Sequence, residues 1–222
     1  MTAGGPGFTI APEPGNFYGV TPMAVPRFII DWRRFILRPL LVIALLAAAG
    51  VLVVLKLRPE PEHVWQEGEL ALASPEWLHG DPMPIRFTAD GADKSPPLMW
   101  GNVPEGTVSF AIVMEDPDAP LGTFTHWLIC EIPYYVSNLP EGIPRRPEVQ
   151  IPVAAAQGMN SFQKMGYGGP SPPPGERHRY YFRLYALDEK LALTGGYNKH
   201  QLREAMDGHI LAEAELMATY ER

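Results

Sequence analysis

The sequence has very little cysteine and no excess of positive charge. Cys130 is the single cysteine among 222 residues, so an intrachain disulfide is excluded. It lies in an apolar run that begins at His126, and we expect a buried, unreactive thiol. With 18 lysines and arginines against 25 aspartates and glutamates, the formal charge is −7. No basic stripe offsets this charge, so nucleic acid is not an expected partner.

Long amphipathic helical patterns are also scarce. The 25 prolines and 21 glycines favour many short strands and structured loops over a helix bundle. Runs of β-branched and aromatic residues predict four strands: Ile85–Thr88, Ser109–Met114, His126–Ile132 and Arg179–Leu187. The last of these has four aromatic residues among nine, which is typical of a strand covered on both faces.

The C-terminal part of the sequence contains a clearer helix signal. Asn198 is a suitable N-cap for a helix that ends at Met206, before Gly208. In the stretch that follows, alanines and Tyr220 alternate with polar residues, although alanine and glutamate favour helix. This stretch predicts a short helical turn followed by a terminal strand.

The chain divides into four zones. Residues 1–34 are rich in glycine, proline and alanine without a sustained period, and we expect a flexible tail there. Residues 35–57 are predicted to form a transmembrane helix, residues 58–66 a short exposed linker, and residues 67–222 the folded domain.

The transmembrane prediction depends on an uncharged apolar run from Pro39 to Leu55. Its 17 residues would form a helix of about 26 Å at about 1.5 Å per residue, close to the bilayer core of about 30 Å. Residues 36–56 would then contact the membrane. A buried core helix is the alternative, but a helix in a small β-domain is rarely apolar on every side over such a length.

Flanking charge predicts how this helix is oriented. Four arginines precede it and two basic residues follow it: Arg27, Arg33, Arg34 and Arg38, then Lys56 and Arg58. The positive-inside bias places the N-terminus in the cytoplasm and the C-terminal domain on the periplasmic or extracellular side. A cleavable signal peptide is the rival interpretation, because Ala47–Gly50 offers small residues. A polar region of about forty residues before the run is too long for a usual signal.

Titratable side chains cluster at the ends of the predicted strands. Residues 116–126 read D-P-D-A-P-L-G-T-F-T-H, with Asp116 and Asp118 after one strand and His126 at the start of the next. Two prolines stiffen the turn. A histidine–aspartate pair between neighbouring strands can raise the imidazole pKa and favour a bound anion. Alternatively, Asp116 only caps a turn and His126 is a satisfied core histidine.

A second polar group follows a loop rich in glycine and proline, residues 166–175. His178 and Tyr180 are two residues apart at the start of a predicted strand, so their side chains project to the same face. A stiff loop whose backbone can approach a ligand, followed by such a pair, suits an oxyanion.

These separated motifs resemble the phosphatidylethanolamine-binding protein family, in particular its bacterial and archaeal branch, often labelled Raf kinase inhibitor-like. The motifs are D-P-D-A-P, H-W-L, G-P-x-P-P-x-G and H-R-Y-x-F-x-L-Y-A-L-D, with F-T-A-D-G and S-P-P-L-M-W upstream. They cover residues 69–222 and exclude the N-terminal tail and the predicted span.

The resemblance implies a mainly β fold, in which a central antiparallel sheet packs against a smaller one with peripheral helices. It also implies a shallow pocket for phosphate, acetate or a phosphorylated headgroup. The residues it assigns to that pocket are Asp116, His126, His178 and Tyr180, with Asp118 supporting the turn and backbone from Gly169 and Pro170. Many prokaryotic members have cysteine where this chain has Ser171, which removes a redox role from the loop.

Binding without turnover is therefore the predicted function, with no catalytic residue, metal or cofactor. A hydrolase that uses the histidine–aspartate cluster is an alternative, but Ser171 lies between prolines and not in a G-x-S-x-G elbow. Two carboxylates and two histidines could also hold a divalent ion, although the spacing of a metal motif is lacking. A further alternative is an inhibitor that caps the active site of a protease or kinase; the protein partner is unknown.

Overall fold

The computed structural model of the protein describes residues 68–150 and 153–222. The predictions made for the tail (1–34), the transmembrane helix (35–57) and the linker (58–66) fall outside these residues. Within the described ranges, no helix is both long and apolar enough to cross a bilayer.

Strands dominate the described residues. In chain order they are β1 (Ala71–Ala73), β2 (Leu98–Gly101), β3 (Ser109–Asp116), β4 (Phe124–Pro133), β5 (Asn138–Leu139), β6 (Glu148–Val149), β7 (Ala155–Gln157), β8 (Arg177–Leu187) and β9 (Ile210–Glu221). A 3-10 helix spans Ile85–Phe87 and an α-helix, α1, spans Lys199–Met206. The smaller sheet has the order β1-β2-β5 and the larger sheet β6-β7-β4-β3-β8-β9, with all strand pairs antiparallel.

Strand β3 occupies the middle of the larger sheet and is buried at all eight positions. Its alternate side chains serve two different hydrophobic clusters, because successive residues of a strand point to opposite faces. Phe110 and Ile112 contribute to the main core, whereas Ala111 and Val113 pack in the cluster that includes Leu202 of α1. The apolar run that predicted this strand is thus covered on both faces.

The main core lies between the two sheets. Trp100 of the smaller sheet meets Phe110 of the larger one with ring centroids 5.4 Å apart, in an edge-to-face arrangement. Leu72, Leu98 and Leu139 complete the contribution of the smaller sheet to this cluster. The predicted mainly β fold with two packed sheets is confirmed for the described residues.

The second cluster lies on the opposite face of the larger sheet, under α1. Asn198 caps this helix, since its side chain accepts from the Gln201 backbone N–H while the Gln201 side chain accepts from the Asn198 N–H. Leu202 and Met206 are the buried face of the helix. The helix prediction is confirmed, although the described residues contain one α-helix and not several.

Cys130 lies in the same cluster and is wholly buried. Burial raises the pKa of its thiol to about 12. Because the thiolate is the reactive form, such a thiol is inert at neutral pH.

The strand predicted at Ile85–Thr88 is wrong, because Ile85–Phe87 forms a 3-10 helix. The Thr88 hydroxyl donates to the Ile85 carbonyl oxygen at 2.9 Å and closes the turn. Phe87 is fully buried within the main core. A short apolar run does not reveal its backbone conformation, and here the Thr88 contact and the burial of Phe87 accompany a turn instead of a strand.

Two details of the later strands also differ from prediction. The stretch predicted to begin with a helical turn is strand from Ile210 onward: β9 pairs with β8 along its length, so sheet pairing overrides the helix preference of alanine and glutamate. Strand β8 is fully buried on one face only. On the other face, Tyr181, Arg183 and Tyr185 are half-buried.

The core predicts a large effect for Phe182→Ala. Phe182 is fully buried in β8, and its ring centroid lies 5.8 Å from that of Trp77. Removal of the ring is expected to lower the free energy of unfolding by about 3–5 kcal/mol. Urea unfolding of the full-length chain, followed by circular dichroism, measures this change. Leu121→Ala is the control, since Leu121 is 103% exposed and should change stability by less than about 0.5 kcal/mol. Equal midpoints for the two variants would contradict the prediction.

Candidate functional site

The larger sheet brings the predicted side chains to one end of three neighbouring strands. Asp116 ends β3, His126 lies near the start of β4, and His178 and Tyr180 lie near the start of β8. Since β3 pairs antiparallel with both β4 and β8, its end adjoins the two strand starts. Residues that are far apart in sequence therefore meet in a single cluster.

His178 and Asp116 form the central contact of this cluster. The ring Nδ1 of His178 donates to Asp116 Oδ2 at 2.7 Å, and each side chain is only 5% exposed. Burial alone would lower the pKa of His178, but its contacts with Asp116 and Glu176 outweigh burial and raise that pKa. His178 is thus the histidine that carries positive charge most readily. From the sequence, Asp116 was expected to pair with His126. In the structure, the partner of Asp116 is His178.

The pKa of His126 is shifted in the opposite direction, and its ring is neutral. Its Nδ1 lies 2.7 Å from the Gly168 carbonyl oxygen. A carbonyl oxygen only accepts, so Nδ1 carries the proton and Nε2 of the neutral ring is left as an acceptor. Burial lowers the pKa of His126 and outweighs the contact with Gly168 that would raise it. The ring is enclosed by Phe124, Phe162 and Tyr180, whose centroids lie 5.1, 5.5 and 5.3 Å away.

Tyr180 lies between the two histidines. Its ring centroid is 5.3 Å from that of His126 and 6.5 Å from that of His178. The side chain is fully buried, and its hydroxyl has no hydrogen-bond partner among the described residues. Burial and the nearby Asp116 carboxylate raise the pKa of the phenol well above its usual value. The hydroxyl therefore stays protonated and is available as a donor.

Asp118 fixes the turn that follows β3. It accepts from the backbone N–H, Nε and Nη2 of Arg179 at 2.9, 2.9 and 2.6 Å. These hydrogen bonds lower the pKa of Asp118. Its own N–H donates to Asp116 Oδ1 at 2.8 Å. Asp118 thus joins the turn to β8, and a direct contact with a ligand stays a prediction.

Gly169 and Pro170 lie in the loop beside His126. The Gly169 N–H donates to Asp93 Oδ1 at 2.7 Å, and the Pro170 carbonyl accepts from the Ala89 N–H at 2.9 Å. A Cβ at position 169 would lie 2.6 Å from the Phe87 carbonyl oxygen, so the backbone approach requires glycine. Both backbone groups hold the loop in place. That they also contact a ligand stays a prediction.

Three residues near the cluster were not predicted from the sequence. Phe124 and Phe162 enclose His126, and their own rings are 4.6 Å apart. Glu176 Oε2 lies 3.4 Å from His178 Nε2. Phe124 and Glu176 each stand two residues before a site histidine, so the period of a strand could have indicated them. No local signal connects Phe162 with the site.

The alternatives based on catalysis gain no support from this geometry. Ser171 is exposed, and its hydroxyl accepts from Arg222 Nη1 at 3.3 Å. No hydrogen bond joins Ser171 to either histidine in the described part of the chain. Within the same residues, no group of three or more histidine, cysteine, aspartate or glutamate side chains could hold a metal ion.

Comparison with known proteins identifies the class to which this domain belongs. A family model described as phosphatidylethanolamine-binding protein matches residues 73–221. That match spans the larger sheet, most of the smaller sheet, the helix and every residue of the cluster. The chain belongs to the phosphatidylethanolamine-binding protein family.

Within the family, the chain is similar to proteins described as UPF0098 proteins. One from Pyrococcus abyssi is 45% identical over 141 residues, which are 63% of this chain and 79% of that protein. One from Aquifex aeolicus is 44% identical over 151 residues, 67% of this chain and 86% of that protein.

Two solved structures share the fold. A phosphatidylethanolamine-binding protein homologue from Chlamydia trachomatis is 42% identical with a TM-score of 0.63, and the match covers 69% of this chain and 98% of that one. YbcL from E. coli, described as a new member of the mammalian family, is 33% identical with a TM-score of 0.65, covering 70% and 99%.

The two histidines are expected to titrate in opposite directions from the ordinary value of about 6.5. In NMR titrations of the full-length chain, His178 should titrate above this value and His126 below it. Asp116→Asn removes the main partner of His178 and should lower the pKa of His178. A titration of His178 below His126 in the wild type would contradict the assignment.

Asp188→Asn is the matched control, because Asp188 Oδ1 lies 2.9 Å from His209 and raises its pKa. It should lower the pKa of His209 and leave that of His178 unchanged.

The raised pKa of His178 also determines how the free energy of unfolding changes with pH. Stabilisation by the His178–Asp116 pair is complete below about pH 6.5 and is lost as pH rises through the folded-state pKa of His178.

Proposed function

We propose that this protein binds a small oxyanion that retains a proton, such as hydrogen phosphate or a phosphorylated headgroup, without turning it over. The cluster offers three complementary groups: a histidine that readily carries positive charge, a phenol that donates, and a neutral imidazole nitrogen that accepts. These are His178, Tyr180 and His126. A hydrogen phosphate has negative charge, acceptor oxygens and one P–O–H donor, so it matches all three.

The unpaired Tyr180 hydroxyl is the observation that carries this proposal. A buried donor without a partner costs about 1–3 kcal/mol, and buried polar groups in proteins are normally paired. Tyr180 lies beside two histidines and not in an apolar part of the core. An oxygen of a bound anion would supply the missing acceptor.

Asp116 is compatible with an anion because its carboxylate is already engaged. Oδ2 accepts from His178 and Oδ1 accepts from the Asp118 N–H. The pair of Asp116 with a protonated His178 is close to neutral overall. Repulsion between this buried carboxylate and a fully ionised phosphate would still favour a ligand that keeps one proton.

Binding is favoured over catalysis by the chemistry of the cluster. Among the described residues, neither histidine hydrogen-bonds to a serine, threonine, cysteine or lysine side chain that could act as a nucleophile. The family is named for binding, and the names of the relatives state no enzymatic activity.

Tyr180→Phe tests the ligand proposal. Titration of the full-length wild type with inorganic phosphate should shift the side-chain NMR signals of His126 and His178. The variant loses one hydrogen bond to an anion, worth about 1.5–3 kcal/mol, so its phosphate affinity should be about 10- to 100-fold weaker. Its free energy of unfolding without ligand should not fall, because an unpaired hydroxyl has been removed.

Tyr181→Phe is the matched control, since Tyr181 is the next residue and faces the other side of the sheet. It should bind phosphate like the wild type. Absence of any shift of the two histidines at millimolar phosphate would refute the proposed function.

We further propose that residues 35–57 tether the domain to a membrane, with the domain on the periplasmic or extracellular side. The support is the uncharged run from Pro39 to Leu55 and the excess of arginine before it. A cytoplasmic partner would be out of reach of a domain in this position.

Reporter fusions test this topology. A reporter that is active only outside the cytoplasm should give a signal when joined after Arg222 and none when joined before Met1. The reverse pattern would overturn the orientation. A cleaved N-terminal segment, seen as a shortened chain released from the membrane fraction, would overturn the tether.

A further inference from the structure

We propose that the carboxylate of Glu176 is an internal occupant of the anion site, which an external anion must displace to reach His178. The inference rests on the proposed function, and it adds a competitor from the protein's own chain. Its consequence is that Glu176 sets the affinity and the selectivity of the site.

The two ring nitrogens of His178 both face carboxylates. Nδ1 contacts Asp116 at 2.7 Å, so this nitrogen is used within the protein. Nε2 is the nitrogen left for a ligand, and it lies 3.4 Å from Glu176 Oε2. The His178 side chain is 5% exposed while that of Glu176 is 58% exposed, so the glutamate lies on the solvent side of this contact.

The two carboxylates differ in how firmly they are held. Asp116 is buried and accepts two hydrogen bonds of 2.7 and 2.8 Å. Glu176 has the longer contact and a mostly exposed side chain, and His178 is its only ion-pair partner in the described residues. A contact whose acceptor side chain is this exposed contributes little and exchanges readily with solvent.

The backbone around Glu176 is fixed, so a change of its side-chain rotamer is sufficient for displacement. The Glu176 N–H donates to the Pro173 carbonyl at 3.1 Å, and the Gly175 N–H donates to the Arg222 carbonyl at 2.8 Å. Gly175 has φ +79°, a conformation that glycine adopts without strain. The turn therefore presents Glu176 at a constant position in front of His178.

An internal carboxylate makes the site selective by competition. An anion that makes a single contact with His178 gains no more than Glu176 already provides. A phosphate can also accept from Tyr180 and donate to His126, contacts that Glu176 does not make. The site should thus favour a phosphate that keeps one proton over an anion that contacts His178 alone.

Calorimetric titration of the full-length chain with inorganic phosphate tests this role. Glu176→Gln should bind phosphate about two- to fivefold more tightly than the wild type, since the competing contact of a mostly exposed carboxylate is lost. Glu176→Asp keeps the charge but shortens the side chain by one methylene. Because the shorter side chain no longer reaches His178, Glu176→Asp should gain phosphate affinity as Glu176→Gln does.

Glu221→Gln is the matched control for charge. Glu221 is 48% exposed and pairs with Arg177 at 2.9 Å, on the strand beside His178. Its removal acts on a bound anion only at long range, so any effect should disappear at about 0.5 M salt, where the screening length is a few ångströms. At the same salt concentration, the ratio of the phosphate affinities of the wild type and Glu176→Gln should persist.

The outcomes separate this inference from the proposed function. Equal phosphate affinities of wild type and Glu176→Gln would overturn the role of Glu176 and leave phosphate binding intact. A gain in Glu221→Gln at high salt equal to that in Glu176→Gln would also overturn it, as a general charge effect. Failure of all variants to bind phosphate would remove the proposed function and this inference together.

Discussion

The hydrogen bond between His178 and Asp116 is the constraint on which the rest of the site depends. It joins the last residue of β3 to the start of β8, at a place where both side chains are removed from water. A buried imidazolium or carboxylate without its partner would be strongly unfavourable, so each residue requires the other. The same contact orients the His178 ring, which determines where Nε2 points. The Asp118–Arg179 pair then repeats the link between turn and strand closer to the surface.

The central sheet and the components of the site could be predicted from sequence, because their signals are local. The buried strands β3, β4 and β8 are apolar runs, and Asn198 with Gln201 is a recognisable capping pair. Aspartates after one strand and histidines at the start of others place titratable groups at one edge of a sheet once the pairing is known. The family motifs supplied that pairing, which the residues by themselves do not determine.

Other features depend on contacts that a linear pattern does not contain. The choice of His178 over His126 as the partner of Asp116 is set by strand register and by Gly168, whose carbonyl already occupies His126. The 3-10 turn at Ile85–Phe87 follows from the burial of Phe87 against distant core residues. Alanines and glutamates in β9 form a strand because β8 offers a full-length pairing partner. This pairing outweighs their small helix propensity.

The hydrogen bond from Gly175 to the Arg222 carbonyl has a practical consequence for work with this protein. Any residues joined after Arg222 begin beside the loop that presents Glu176. An affinity tag or fluorescent label there would share the approach to the histidines with the ligand, and an acidic tag would add a further competing charge. Ligand affinities measured with such an extension would describe the tagged molecule, whereas a tag placed before the N-terminus is separated from the described domain by 67 residues of sequence.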